Sequence, residues 1–204
     1  MRTYFNFLVL GLLTIAFASS SLLAQSPLGL GAGIPLIDNE MEEVTGRNSS
    51  LRSSAKANGL IVIFSSNTCP WVLRYESRYL ELSSIARENN IGMIAINPNE
   101  AYRDRGDGME DMIKHAEKAE YNFPYVLDKN HEVADAFGAK KTPHIYLFNG
   151  EKELVYFGAI DDNANDANAV EEYYLRDAIE AMIAGREIPK AGTSPLGCTI
   201  KRVS

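Results

Sequence analysis

Two cysteines stand far apart in this 204-residue chain: Cys69 in "FSSNTCPWVLRYESRYLEL" (Phe64 to Leu82) and Cys198 in "GCTIK" (Gly197 to Lys201). Thiols attack disulfides and peroxides, so the first question is what activates one and what releases it. Pro70 follows Cys69, and proline is favoured at the first position of a helix, where no backbone donor is needed. Cys69 then becomes the N-cap residue, with its sulfur where a capping oxygen would stand. The N–H groups of Trp71 and Val72, with the positive end of the helix dipole, favour thiolate there. Val72 occupies the place of the second cysteine of a C-x-x-C motif, so resolution cannot be local. Arg74 and Arg78 project to other faces of the helix and give no direct help. The competing reading is a small buried apolar cysteine, against which the Thr-Cys-Pro turn is expected at an exposed strand-to-helix junction.

Attack leaves sulfur as a mixed disulfide or sulfenic acid, and turnover requires a second thiol. Cys198 is the only other one in the sequence, in the tail "REIPKAGTSPLGCTIKRVS". Three arrangements stay open: an exchanging Cys69–Cys198 pair, a permanent disulfide that pins the tail with ~5 kcal/mol of loop-closure stabilisation, or unpaired thiols with a partner protein resolving Cys69. A second feature points toward Cys69. In "KKTPHIYLF", Pro143 opens a strand, and a cis Thr142–Pro143 bond would turn the Thr142 backbone toward the cysteine. His144 raises a binding alternative, a soft metal such as copper or zinc held by Cys69, Cys198 and His144. The spacing carries no metal signature, so neither a metal nor another cofactor is expected. "GAIDDNAND" reads as a solvated acidic loop, Tyr75 and Tyr79 as packing residues, and His115 and His131 as helix-flank and helix-start residues.

The elements that must position these groups are legible from periodicity. "GLIVIF" is a continuous apolar run, as in a strand buried on both faces. Val72, Tyr75, Tyr79, Leu82 and Ala86 recur at helical spacing to about Glu88. "IGMIAIN" is a second buried strand, followed by the polar loop "NPNEAYRDRGDG" and a helix from about Met109 to Ala119. "FPYVLD" is a third strand and "HEVADAFG" a short helix stopped at Gly138. "HIYLFN" and "ELVYFGAI" form an antiparallel hairpin. A last helix runs from about Val170 to Ala184, with Leu175, Ala178, Ile179, Met182 and Ile183 inward. Strands alternating with helices, closed by a hairpin and helix, give an α/β sandwich with a mixed sheet, and sites in such folds lie beyond the carboxyl ends of the strands.

The opening "MRTYFNFLVLGLLTIAFASSSLLAQ" has Arg2, a short apolar run and then small residues, the pattern of a secretory signal peptide over 1–24. The apolar run falls short of the roughly 20 residues a spanning helix needs, so the mature chain is expected to be exported, periplasmic or secreted, with no membrane span. Residues 25–59 read as an irregular lead-in whose short apolar pieces "IPLID" and "MEEV" could form a small hairpin or edge strands, 36–185 as the domain and 186–204 as the tail carrying Cys198. A chain starting at Gln25 loses only Arg2 and keeps 19 basic and 27 acidic side chains, a net charge of −8. That balance argues against a nucleic-acid partner. In an oxidising compartment disulfides persist, which makes the even pair of cysteines meaningful.

The order strand, Cys at a helix start, strand, helix, strand, short helix, Thr-Pro, hairpin, helix resembles the thioredoxin fold. With the extra helix and strand of about Met109 to Asp128, it is similar to the redoxin branch that groups AhpC/TSA proteins with exported TlpA-like thioredoxins. "NTCPWV", "KKTPHIYLF", "GAIDDN" and "GCTIK" carry the likeness over roughly Leu36 to Ala184. The resemblance implies a three-layer sandwich with a mixed central sheet flanked by helices. It also implies Cys69 as attacking thiol and a substrate groove shaped by Pro70, Trp71, Thr142 and Pro143. The substrate would be a protein or small-molecule disulfide or a peroxide, and the reductant is unknown. Departures from the family matter. Ile63 stands near the position of the buried acid of thioredoxins. The peroxiredoxin P-x-x-x-T-x-x-C pattern is absent, with Val62 for its proline and Ser66 for its threonine. The expected function is therefore an exported thiol–disulfide oxidoreductase with Cys198 as resolving cysteine. The alternatives are a thiol peroxidase and a non-catalytic or metal-binding scaffold.

Overall fold

A computed structural model describes residues 27–203; the expected signal segment lies outside the described residues. Strand β3 (Leu60–Phe64) is buried along its whole length and lies inside a seven-stranded sheet, fifth in the order β2-β1-β5-β4-β3-β7-β8. Its alternating side chains feed two cores: Ile61 and Ile63 face one side, Leu60, Val62 and Phe64 the other. Both faces are covered, and a run with no polar interruption satisfies that condition. β4 (Gly92–Asn97) pairs parallel with β3 and with β5 (Tyr125–Leu127); β7 (His144–Phe148) and β8 (Leu154–Gly158) add antiparallel on the other side.

The hairpin expected at "MEEV" forms within the described part of the lead-in, residues 27–59. These residues supply β1 (Met41–Glu43), β2 (Asn48–Ser49) and the one-turn helix α1 (Leu51–Ser54), and β1 extends the main sheet by pairing with β5. Helix α2 (Pro70–Glu88) lays Val72, Tyr75, Tyr79, Leu82 and Ala86 on the sheet. α3 (Met109–Lys118) and α5 (Tyr174–Ile183) join the same layer, while α4 (Glu132–Ala136) lies near the opposite face. The last helix starts later than its sequence period implies, and Ile183 is exposed, with Ala181 buried instead. This is the expected α/β sandwich. One element was not legible at all. The tail forms β9 (Cys198–Thr199), which pairs antiparallel with β6 (Lys141–Thr142) as a separate two-stranded sheet. Among the described residues no helix is long and apolar enough to cross a membrane.

Candidate active site

β3 ends at Phe64, and the chain must turn through Ser65 to Thr68 before α2 begins. The loop "NPNEAYRDRGDG", polar in sequence, folds over this turn as a 3₁₀ helix (Glu100–Arg105) and presents Asp107, which is wholly buried. Its carboxylate accepts from the Asn67 backbone N–H at 2.7 Å, from the hydroxyls of Thr68 at 2.7 Å and Ser66 at 3.1 Å, and from the side-chain amides of Asn97 at 2.8 Å and Asn99 at 3.0 Å. A buried charge requires such a shell of donors. The three residues before Cys69 are thereby fixed. Gly106, at φ 103, makes the turn that delivers Asp107, and a Cβ there would stand 2.9 Å from Thr68 Cγ2. Nothing in the loop's periodicity signalled this role; the Gly-Asp-Gly at 106–108 was its only trace.

Cys69 is the N-cap of α2, with Pro70 first inside the helix and the Leu73 N–H donating to the Cys69 carbonyl at 3.1 Å. Its side chain makes no capping hydrogen bond. Instead the thiol donates to the Thr142 carbonyl at 2.9 Å, and the Thr142–Pro143 bond is cis. No helix-start amide caps the Cys69 sulfur, and Cys198 packs against the same core as Cys69, beside Trp71. Val72 is wholly buried in the core beneath the site. Trp71 is half-buried, with the Arg74 guanidinium 4.9 Å from its ring centroid.

Cys198 is brought there by register. Thr142 pairs with Cys198 and Lys141 with Thr199. The close approach requires Gly197, where a Cβ would stand 2.2 Å from the Thr142 carbonyl oxygen. Downstream, Ile200 is buried, and its N–H donates to the Lys140 carbonyl at 3.2 Å. The Lys201 N–H donates to Asn99 Oδ1 at 2.9 Å, and Arg202 reaches Asp135 and the Ala139 carbonyl at 2.7 Å each. Upstream, the Thr193 hydroxyl lies 2.8 Å from that of Tyr156 and accepts from the Ala159 N–H at 2.9 Å. Asn99 thus joins the Asp107 network to the tail. The junction is less open than the sequence suggested: Cys69 is 2% exposed, and Thr142 and Pro143 are buried. The Thr142 edge of the expected substrate groove carries β9.

Removal from water, the hydrogen bond with Cys69 and the charge Cys69 can carry push the Cys198 thiol up to about 11. His144 does not join the cysteines. It alternates with Ile145 and stacks with Tyr146 at 4.6 Å on the side of the sheet away from α2; burial pushes it down to about 4. Among the described residues no three His, Cys, Asp or Glu side chains converge to hold a metal ion. Asp161 is not solvated as expected: it is buried, 3.2 Å from Arg78 Nε, and accepts from the Tyr75 hydroxyl at 3.1 Å. Ile63 is wholly buried in the core, as its apolar side chain allows.

A mixed sheet flanked by helices, with a cysteine at a helix start beyond the central strands, is the thioredoxin-like fold. Residues 32–157 match the AhpC/TSA family, and the chain belongs to that family. It is 26% identical to the thiol-disulfide oxidoreductase ResA of Halalkalibacterium halodurans over 124 residues, 61% of this chain. The match spans 66% of that relative's length. An uncharacterized conserved protein of Geobacillus kaustophilus is similar in structure, with TM-score 0.78 and 31% identity over 85% of this chain and 92% of that one. A hypothetical protein of Sinorhizobium meliloti 1021 gives TM-score 0.79 and 27% identity over 88% and 97%.

Proposed function

We propose that this protein is an exported thiol–disulfide oxidoreductase whose redox couple is Cys69 and Cys198. The observation that carries the reading is the convergence of both cysteines on Thr142, whose carbonyl accepts from the Cys69 thiol at 2.9 Å and whose cross-strand partner is Cys198, held by anchors on both sides. In the reduced pair, where no covalent bond holds β9 over the site and the tail can lift, Cys69 attacks a protein or small-molecule disulfide, forming a mixed disulfide and releasing one thiol. Cys198 then attacks Cys69 sulfur, closes the Cys69–Cys198 disulfide and releases the second thiol. Both electrons pass to the substrate, and a dithiol reductant restores the pair. The dithiol step is consistent with likeness to a thiol-disulfide oxidoreductase. Export rests on the N-terminal signal pattern.

Two variants test the assignment. Cys69→Ser should abolish reduction of insulin disulfides and of small disulfides. Cys198→Ser should stall as a mixed disulfide on Cys69, seen by mass spectrometry. Unchanged rates in Cys69→Ser would remove the enzyme reading. The N-terminal mass of the secreted or periplasmic chain tests export, and an intact Met1 would contradict it.

A further inference from the structure

The two cysteines converge on Thr142, yet they meet solvent differently. Cys69 is 2% exposed and belongs to the core packed beneath α2, whereas Cys198 is only partly buried and packs against that core from outside. The strand carrying Cys198 is not a loose flap. Thr193 anchors it before Cys198, and Ile200, Lys201 and Arg202 anchor it after. In the oxidised pair, where the disulfide also holds the strand down, reaching Cys69 from outside would break those contacts, while reaching Cys198 breaks none of them.

We infer that an external thiol opens the Cys69–Cys198 disulfide at Cys198, with Cys69 as the leaving sulfur; this rests on the reading of the two cysteines as a redox couple. The incoming thiolate forms a bond to Cys198 Sγ, the Cys69–Cys198 bond breaks, and its electron pair stays on Cys69. The departing sulfur stands at the N-terminus of a 19-residue helix, where negative charge is favoured. The second thiol of a dithiol reductant then attacks the reductant's own sulfur in the mixed disulfide. Cys198 is released and takes a proton from solvent. The dithiol ends as a disulfide and the protein pair is reduced by two electrons. Exchange rates depend on which sulfur is accessible and on how well the other leaves, and both conditions select the same direction here. Burial, the largest cause of the raised Cys198 thiol, agrees, because it disfavours negative charge on Cys198 as leaving sulfur. The buried helix-start cysteine is therefore the internal member of the pair, and the tail cysteine is the one that meets the reductant.

The test uses the full chain oxidised with diamide. Reduced glutathione is added as probe, the reaction is quenched in acid within the first turnover, and freed thiols are blocked with N-ethylmaleimide before peptide mapping. The expected result is glutathione on Cys198 and maleimide on Cys69, with about ten-fold or more preference over the reverse. Glutathione on Cys69 with maleimide on Cys198 would overturn the assignment while leaving the couple intact. A chain that forms no Cys69–Cys198 disulfide under diamide would overturn the couple itself and this inference with it.

Discussion

Thr142 and Cys198 are cross-strand partners, and the Thr142 carbonyl also accepts from the Cys69 thiol at 2.9 Å. A single backbone position thus brings together two cysteines from opposite ends of the domain. The tail is thereby part of the site, occupying the edge of the Thr142 backbone.

Gly197 is the residue that permits this approach, because a Cβ there would stand 2.2 Å from Thr142 oxygen. Gly197→Val should lift Cys198 from the site while leaving the main sheet folded. Disulfide formation between Cys69 and Cys198 should slow by about ten-fold or more, since the pair loses its held geometry. Rapid-quench alkylation checks the rate and circular dichroism checks the fold. An unchanged rate with intact fold would show that β9 does not position Cys198.

Asp107 should matter for stability and for thiol chemistry alike. Asp107→Ala leaves buried donors from Ser66, Asn67, Asn97 and Asn99 without their acceptor. A loss of about 3 kcal/mol or more is expected in urea unfolding. Disulfide formation should also slow, because the turn before Cys69 and the Asn99 contact to the tail loosen together. A change under about 1 kcal/mol would contradict the role given to this network.

The Cys198 thiol, pushed up to about 11, should keep its proton through neutral pH. In the reduced protein its alkylation by iodoacetamide should continue to rise above pH 9. Cys69→Ala removes the hydrogen bond and the charge that raise it, so the Cys198 profile should move to lower pH. A profile that stays in place would assign the whole shift to burial.

His144 gives a pH dependence of the fold. Its folded value near 4 lies below the unfolded 6.5, so between these the unfolded chain binds the extra proton. Stability from this group is full above about pH 6.5 and is lost as pH falls toward 4, by about 3 kcal/mol in all. Asp128, raised by burial to about 6 from 3.8, acts oppositely: its contribution is present at low pH and lost as pH rises through 6. Only the difference between wild type and His144→Phe isolates the histidine. That difference should fall between pH 7 and pH 4, measured by urea unfolding; a flat difference would contradict the burial cost.

Much of the fold was legible because its elements bury continuous or periodic apolar surface. β3 shows no polar interruption, and α2 repeats its apolar stripe from Val72 to Ala86. Cys69 as N-cap was legible from Pro70 alone. The tail strand was not, since two residues paired through backbone bonds leave no period, and Thr199 is exposed while Ile200 is buried. Asp107 was hidden for a different reason. A carboxylate in a polar loop looks the same in sequence whether it meets water or buried donors that only the fold assembles.

The most direct test of the central claim is the reduction potential of the Cys69–Cys198 couple, obtained by equilibrating the full chain with dithiothreitol buffers and counting blocked thiols by mass. An exchanging pair predicts a two-electron midpoint near or above about −270 mV, whereas a midpoint below about −300 mV would mark a permanent staple and contradict the account.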